Sequence, residues 1–507
     1  MTQFLYNIKL PPNDHKEKLY IDAERFSRLS ATCISITQGI NLDLGTYFNA
    51  FSLKKWIQYT SINVLGIEFE IEGEYFIEIY GVKKNGCKTL WQSKQIGNFI
   101  QSFDRNILLK WLKEKNEILG IIITAKSEQI RFYGGRYVAD FLFEKNINIG
   151  VTFCTYKREE YLKKNIVELK KLCVENSHFN ILVIDNGRTL ETRSEANLKI
   201  IPNLNYGGSG GFARGLIEQV QARINTYILL MDDDIEIEIT SLERLYSFVT
   251  HLKEEFEDRM IAGSMLRMDL PTMQFENSAY WGKIRMRPLG RGFDLTDKRY
   301  LFKNDNLPYH KNKYAAWWFC CIPLKVIERN GYPLPVFIKG DDMEYGIRNN
   351  KDIITMNGIG VWHEPFLYKV NPVVNYFNDR NMLILNHYVD GGSRWTFAGV
   401  FFARLVRRLI NAEIESIKLY ELALQDYSKG FSGITAIGSD EKFEQIKSYR
   451  THKSLAIILI NIFWVAGKEF FYFSKTHKEY LFFRKKNLKD AAFWTRFLRL
   501  EDKDRFN

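Results

Sequence analysis

Residues 226–234 read TYILLMDDD: an apolar run from Tyr227 to Met231, then Asp232, Asp233 and Asp234 without a break. A run of that length that is apolar on both alternating faces is a strand buried from both sides, as in the parallel sheets of α/β proteins. Carboxylates just past the carboxyl end of such a strand stand where open α/β sheets bind their ligands. Alternation along an extended backbone sends Asp232 and Asp234 to one side, so the two suit one hard divalent cation, Mg²⁺ or Mn²⁺. The competing reading is an acidic loop, or a cap for the helix whose face is Leu242, Leu245, Val249 and Leu252.

Upstream, VTFCTYKR (151–158) is a second apolar strand. It is followed by a helix with Leu162, Ile166, Leu169 and Leu172 on one face, and then by the strand NILVID (180–185). This βαβ rhythm predicts a mostly parallel sheet. Between NILVID and TYILLMDDD lies NLNYGGSGGFARG (203–215), with a helix expected from about Phe212; its glycines allow close backbone approach, and a helix N-terminus favours anions. It has neither the GK[ST] ending of a phosphate-binding P-loop nor GxGxxG spacing, and an ordinary loop is the competing reading.

Downstream, VFIKGDDMEYGIR (336–348) carries Asp341 and Asp342, with Glu344 two positions on. A carboxylate here suits a general base that takes the proton of an acceptor hydroxyl; the alternative is an acidic helix N-terminus. His363 in GVWHEPF follows another apolar stretch and suits the third place in a mixed oxygen and nitrogen coordination shell, although a lone histidine is more often structural.

Before residue 145 the pattern is different. Segments such as GIEFEIEGEYFIEIYGV (66–82) alternate, which predicts a β-rich domain. Past Asn381 the chain reads as amphipathic helices rich in Arg, Lys and aromatic residues. The three regions are therefore 1–145, 146–390 and 391–507.

Of 507 residues, 46% are hydrophobic and 15% aromatic, and the net charge is +11. The basic excess thickens toward the end, at Arg404, Arg407 and Arg408 and at Arg484, Lys485 and Lys486. It suits an anionic membrane surface or a phosphate-bearing substrate. A nucleic-acid partner is not expected, because only charge speaks for one and no nucleic-acid-binding signature is present. Six cysteines without a CxxC pair argue against a zinc site or a disulfide scaffold and for the reducing cytoplasm. No secretory signal is apparent. The longest apolar run, Leu455 to Gly467, is broken by Asn461 and falls short of the ~20 residues that span a bilayer.

Taken in order, FCTYKR, VIDNG, NLNYGGSGGFARG, MDDDI, WWFCCIP, FIKGDDMEYGIR, WHEPF and NYFNDRN resemble the bacterial galactofuranosyltransferases, GT-A inverting glycosyltransferases of the family 2 type. The resemblance covers the middle half of the chain. It implies an α/β fold: a Rossmann-like GT-A central domain, an N-terminal β-sandwich and a C-terminal helical region. It implies that Arg158, Asp185, Asn205, Gly207, Gly208 and Asp233 face the UDP-sugar donor, and that Asp232, Asp234 and His363 hold the metal. It makes Asp342 the base and Asp341 its sugar-binding neighbour. Trp317 and Trp318 become an aromatic wall for donor or acceptor sugars, against core packing as the alternative. Glu344, Tyr376, Arg380 and Asn381 become contacts to the acceptor, a glycan or glycolipid.

The implied reaction moves galactofuranose from UDP-galactofuranose to a lipid-linked or cell-surface glycan. A UDP-pyranose or deoxysugar donor is the alternative within the enzymes, and a carbohydrate-binding scaffold with an inactive transferase domain the alternative outside them. The cysteine usage suits the cytoplasm, and the basic, aromatic C-terminal helices suit a place against the anionic inner face of the membrane or, alternatively, a solvated face. Removing the helices after Arg450 is expected to spare nucleotide binding and reduce membrane recovery.

Overall fold

The computed structural model describes residues 2–12, 15–349, 351–365, 371–435 and 439–501. The alternating N-terminal segments form two antiparallel sheets, one of six strands and one of four. Ile67, Phe69 and Ile71 of the strand Ile62–Glu72 point inward, as do Tyr75, Ile77 and Ile79 of Glu74–Lys83. Both sets join one apolar core, while Glu68, Glu70 and Glu72 alternate outward. That core runs without interruption into the central domain. At the junction the guanidinium of Arg244, 1% exposed, lies 3.8 Å over the ring of Tyr6 and donates to the carbonyl of Phe48 at 2.6 Å. A guanidinium so placed is satisfied by a π-face and a carbonyl, which is how a buried cation is tolerated.

The central sheet has ten strands. Leu198–Pro202, Phe179–Asp185, Ile149–Thr155 and Tyr227–Asp232 run parallel in that spatial order. Beyond Tyr227–Asp232 the expectation of a mostly parallel sheet fails. The short strand Cys320–Pro323, from WWFCCIP, enters antiparallel between Tyr227–Asp232 and Ile261–Arg267. Ile261–Arg267 is then parallel to Ile354–His363, which pairs antiparallel with Ile235–Ile237. Residue pattern reports burial but not strand direction, so this reversal left no trace in the sequence.

Three registers place the chemistry. Thr155 pairs with Asp185 and Cys154 with Asp232, so the carboxyl ends of three strands lie level. Ile235 pairs with His363, which brings the residue after the DDD run beside the histidine. The glycine-rich helix starts at Gly207, five residues before the expected Phe212, because Gly207 takes φ +67° and a Cβ there would stand 2.2 Å from the carbonyl oxygen of Phe337.

The described residues from Pro372 onward are mostly helical, with a second core built on Pro372–Leu385, Arg394–Ile410, Ile414–Ser428 and the 33-residue helix Leu455–Asn487. The basic stripe read from sequence divides here. Arg404 and Arg408 both turn inward onto the buried carboxylate of Asp379, and Arg484 reaches Glu344 at 3.5 Å, whereas Arg407 stays exposed.

Candidate active site

The strand Tyr227–Asp232 ends at the first aspartate, and the turn that follows carries the other two back to Ile235–Ile237. The nearest oxygens of Asp232 and Asp234 and a ring nitrogen of His363 all lie within 4.8 Å of one another. His363 Nε2 is 3.0 Å from Asp234 and 4.0 Å from Asp232. On its other side, Nδ1 meets the carbonyl of Glu364 at 2.6 Å. A carbonyl can only accept, so Nδ1 carries a proton, and Nε2 is the nitrogen turned to the two carboxylates, donating to Asp234 and open to exchange that proton for a cation. Two carboxylate oxygens and one imidazole nitrogen form a donor set suited to Mn²⁺ or Mg²⁺.

The electrostatics of the three agree with that assignment. Burial pushes Asp232 up to about 6, with His363 opposing the shift. Burial also works against ionisation of Asp234, yet His363 and Arg158 hold it below the usual carboxylate range. The two carboxylates together raise His363 against the effect of its own burial. The site is thus a concentrated negative charge in partial shelter from water, which a divalent cation neutralises.

Asp233 points elsewhere. Its Oδ2 accepts from the Thr155 hydroxyl at 2.7 Å and its Oδ1 from Arg158 at 3.3 Å, and Arg158 also pairs with Asp234. Arg158, half exposed, is therefore a cation beside the candidate metal site. Asn165 donates to the carbonyls of Asp233 and Ile235 and fixes the turn from behind. Asp185 is fully buried, and the backbone N–H groups of Gly187, Thr189 and Leu190 occupy its two oxygens. The carboxylate shapes the VIDNG loop from inside. Asn205 accepts from Gly207 N at 3.0 Å, and a Cβ on Gly208 would stand 3.9 Å from Asp341 Oδ2. The glycine loop and the DD motif are therefore neighbours.

Asp341 opens the helix Asp341–Asn349 after a backbone segment in which Phe337, Lys339 and Gly340 all have positive φ (+75°, +67° and +95°). Two non-glycine residues held in that region mark strain kept in place by surroundings. Asn381 supplies the hold, donating to the carbonyls of Val336, Ile338 and Lys339, while Arg380 donates to Val336 and to Asn381. Burial raises both Asp341 and Asp342, and Asp342 adds repulsion to Asp341; the Met343 N–H at 2.8 Å and nearby Lys339 oppose the rise at Asp342. Lys339 also acts on Asp232, so one lysine sits within electrostatic reach of both carboxylate groups.

The remaining expected residues lie further back. Tyr376 is buried with its hydroxyl on Asp426 at 2.6 Å, and Glu344 is buried between Arg348 and Arg484. Trp317 packs edge-on against Phe212 and Tyr345, and Trp318 donates to the carbonyl of Gly263, both with about 5% exposure or less. These are the surroundings of packing residues. One carboxyl was not anticipated at all. Glu276, 3% exposed on the short strand Gln274–Glu276, is pushed up to about 8 by burial and by the charge of Asp342, against Arg291. A single glutamate in QFENSAYW carries no signal in sequence; only the fold brings it within electrostatic reach of Asp342.

Residues 11–126 match the family model described as galactofuranosyltransferase 2 N-terminal, and residues 151–288 match glycosyl transferase family 2. The chain is 23% identical over 482 residues to galactofuranosyltransferase GlfT2 of Mycobacterium tuberculosis, covering 87% of this chain and 74% of that one. It is 22% identical over 480 residues to GlfT2 of Mycolicibacterium smegmatis, covering 87% and 73%. Among solved structures, S. aureus TarS 1-349 in complex with UDP-GlcNAc aligns at 14% identity and TM-score 0.39 over 64% of this chain and 91% of that one. Mannosyltransferase PcManGT from Pyrobaculum calidifontis, in complex with GDP-Man and Mn²⁺, aligns at 10% identity and TM-score 0.33 over 68% and 88%.

Proposed function

We infer that this chain, a glycosyltransferase with a family 2 domain behind a galactofuranosyltransferase-type N-terminal domain, transfers galactofuranose from UDP-galactofuranose to a lipid-linked or cell-surface glycan with inversion at the anomeric carbon. The observation that carries the reading is the pairing of two carboxylate groups in one cleft: Asp232 and Asp234 with His363 on one side, Asp341 and Asp342 on the other, with Lys339 acting on both.

In this reading Asp232, Asp234 and His363 would hold a divalent cation, which would neutralise charge on the diphosphate of the leaving UDP. Arg158 exchanges its contact with Asp234 for the diphosphate. Asp342 accepts the proton of the acceptor hydroxyl as that oxygen bonds to the anomeric carbon and the bond to UDP breaks. The sugar arrives with the opposite anomeric configuration, and no sugar–enzyme bond forms. A carboxylate whose proton affinity is raised by burial is a better base near neutrality than an exposed one. Asp341 and Glu276 line the acceptor side, where a protonated carboxyl donates a hydrogen bond to a sugar oxygen.

The test is a donor panel: purified protein, Mn²⁺ and glycolipid acceptors, with UDP-galactofuranose beside UDP-galactose and UDP-glucose, followed by UDP release. Release with the furanose donor alone is the expected result. Release only with a pyranose donor keeps the chemistry and overturns the substrate.

A further inference from the structure

The parallel strands Ile261–Arg267 and Ile354–His363 carry Arg267 and His363 at one end, beside the candidate metal site. At the other end, about 20 Å back along the seven-residue strand Ile261–Arg267, the excess charge is positive. Ile354 N–H donates to the carbonyl of Met260 at 2.9 Å, which sets Arg259 level with Asp352. Lys313, 6% exposed, reaches the same place, donating to the Ile353 carbonyl at 3.0 Å and to Asp352 at 3.4 Å. The helix Leu53–Tyr59 of the N-terminal domain packs here too, and the carbonyl of Tyr59 accepts from Lys253 N–H at 2.9 Å. The rings of Tyr59 and Phe256 meet edge-on with centroids 4.8 Å apart. The Lys55 ammonium stands 5.9 Å from the first ring and the Arg259 guanidinium 4.9 Å from the second.

Two of these cations have no counter-charge. Among the described residues the side chains of Lys55 and Arg259 make no hydrogen bond and no ion pair, and Arg259 Nε is closed off from water as well. The same lack of a hydrogen bond holds for the Tyr59 hydroxyl. The acids around them are already taken: Asp352 by Lys313, Asp258 by Arg329 and Lys351, Glu257 by Lys145 and Lys325, and Glu117 by Lys54. Asp305 is fully buried, and its Oδ1 accepts from Ser52 and from Asn357 N–H. The cations also act on one another. Burial lowers the proton affinity of Lys55, with repulsion from Lys54 added; burial lowers that of Lys313, with repulsion from Lys55 and Arg259 added. Unpaired cations in partial shelter from water destabilise a fold, and a bound anion removes that penalty.

We propose that Lys55, Arg259 and Lys313, with the Tyr59 hydroxyl, form a second anion site away from the donor cleft, which takes a phosphate-class oxyanion and ties the N-terminal domain to the start of the central sheet. The donors select the ligand. Two ammonium groups, a planar guanidinium and a hydroxyl come from three separate elements, and a tetrahedral oxyanion offers acceptors in as many directions, whereas chloride offers no fixed geometry. The site shares no residue with the catalytic cleft, so it stands whichever sugar is transferred.

The probe is inorganic phosphate. Melting of the full chain is followed as phosphate replaces chloride at constant ionic strength, with saturating UDP and Mg²⁺ present so that the donor cleft is filled. A saturable rise of about 1–2 °C is expected at ten times the dissociation constant. Lys55→Met and Arg259→Met each remove an unpaired cation, so each should melt higher than the wild type without phosphate and bind phosphate at least about tenfold more weakly. UDP release should be unchanged in both variants, which shows them folded. Absence of a saturable response in the wild-type chain overturns the site. So does a response that both variants keep, since phosphate then acts elsewhere or as a general stabilising salt. Variants that melt lower than the wild type without phosphate overturn it as well, because the two cations then have partners of their own.

Discussion

Asp342 is the residue on which the proposed chemistry turns. Asp342→Asn keeps the shape and the Met343 N–H contact but removes the proton acceptor. Transfer should fall by about two to four orders of magnitude while UDP binding with Mn²⁺, read by calorimetry, stays within the wild-type range. Burial raises this carboxyl, so the acid limb of kcat/KM should lie above the ordinary aspartate value of 3.8, activity falling as the pH drops and the base fills with a proton. An acid limb at or below 3.8 would remove Asp342 from the role. Glu276 tests the same electrostatics through stability. Its proton affinity is raised in the folded chain to about 8 from 4.5, so the folded state holds a proton that the unfolded chain has released. The sign is then fixed: stability falls as pH rises from 4.5 toward 8, by up to about 1.4 kcal/mol per pH unit from this one group. Glu276→Gln, which presents a neutral side chain of nearly the same shape, should flatten that decline and melt higher than the wild type at pH 8. A wild-type melting temperature that does not respond to the substitution at pH 8 would mean that Glu276 is solvated and ionised.

Between residue and molecule, the deciding element is the segment Val336–Gly340, which carries three positive φ angles and hands the chain to the DD motif. Its geometry is imposed from the helix Pro372–Leu385 by the three bonds of Asn381. Asn381→Ala leaves three carbonyls without that donor, a loss of about 1–3 kcal/mol. A lower melting temperature is expected together with a drop in kcat larger than the loss of UDP affinity, since the segment runs directly into the DD motif and meets the glycine-rich helix only around Gly207 and Ser209. Equal losses in both would show that the segment supports the whole cleft. The acidic half of the site was legible because TYILLMDDD states both its burial and its end, and an extended backbone sends Asp232 and Asp234 the same way. The glycine loop was legible as a loop but not as the neighbour of Asp341, a relation set by Gly207 against Phe337. WWF was ambiguous by nature, because a ring that walls a pocket and one that fills a core are the same residue, and here burial puts Trp317 and Trp318 in the core. Asn381, expected at the acceptor, instead acts on backbone carbonyls that no sequence pattern announces.

At the scale of the whole molecule, the three regions pack on one another. The N-terminal sheets and the central domain share one core, with Tyr47 donating to the carbonyl of Ile359 and Phe48 packed on Trp362, the residue before the metal-site histidine. The C-terminal helices reach the donor loop from the other side. Phe497 lies 5.0 Å from the ring of Tyr206, the residue before the glycine helix, and Tyr332 N–H donates to the carbonyl of Leu488 at 3.0 Å, with Trp494 edge-on to the Tyr332 ring. Leu455–Asn487 also supplies Ile462, Phe473 and Tyr480 to the second core. The expectation that the helices after Arg450 can be removed without harm to nucleotide binding therefore meets a physical objection: their removal uncovers that core and strips the support behind Tyr206. A chain ending at Arg450 should bind UDP at least about tenfold more weakly or fail to give a cooperative melt, each lost large core side chain costing about 2–5 kcal/mol. Phe497→Ala isolates the local part of the effect, since it touches the donor loop through Tyr206 and leaves the long helix in place. If the truncated chain melts cooperatively and binds UDP as the full chain does, the C-terminal helices are an appendage to nucleotide binding. If Phe497→Ala weakens UDP binding while the bulk of the fold holds, these helices brace the glycine-rich loop through Tyr206.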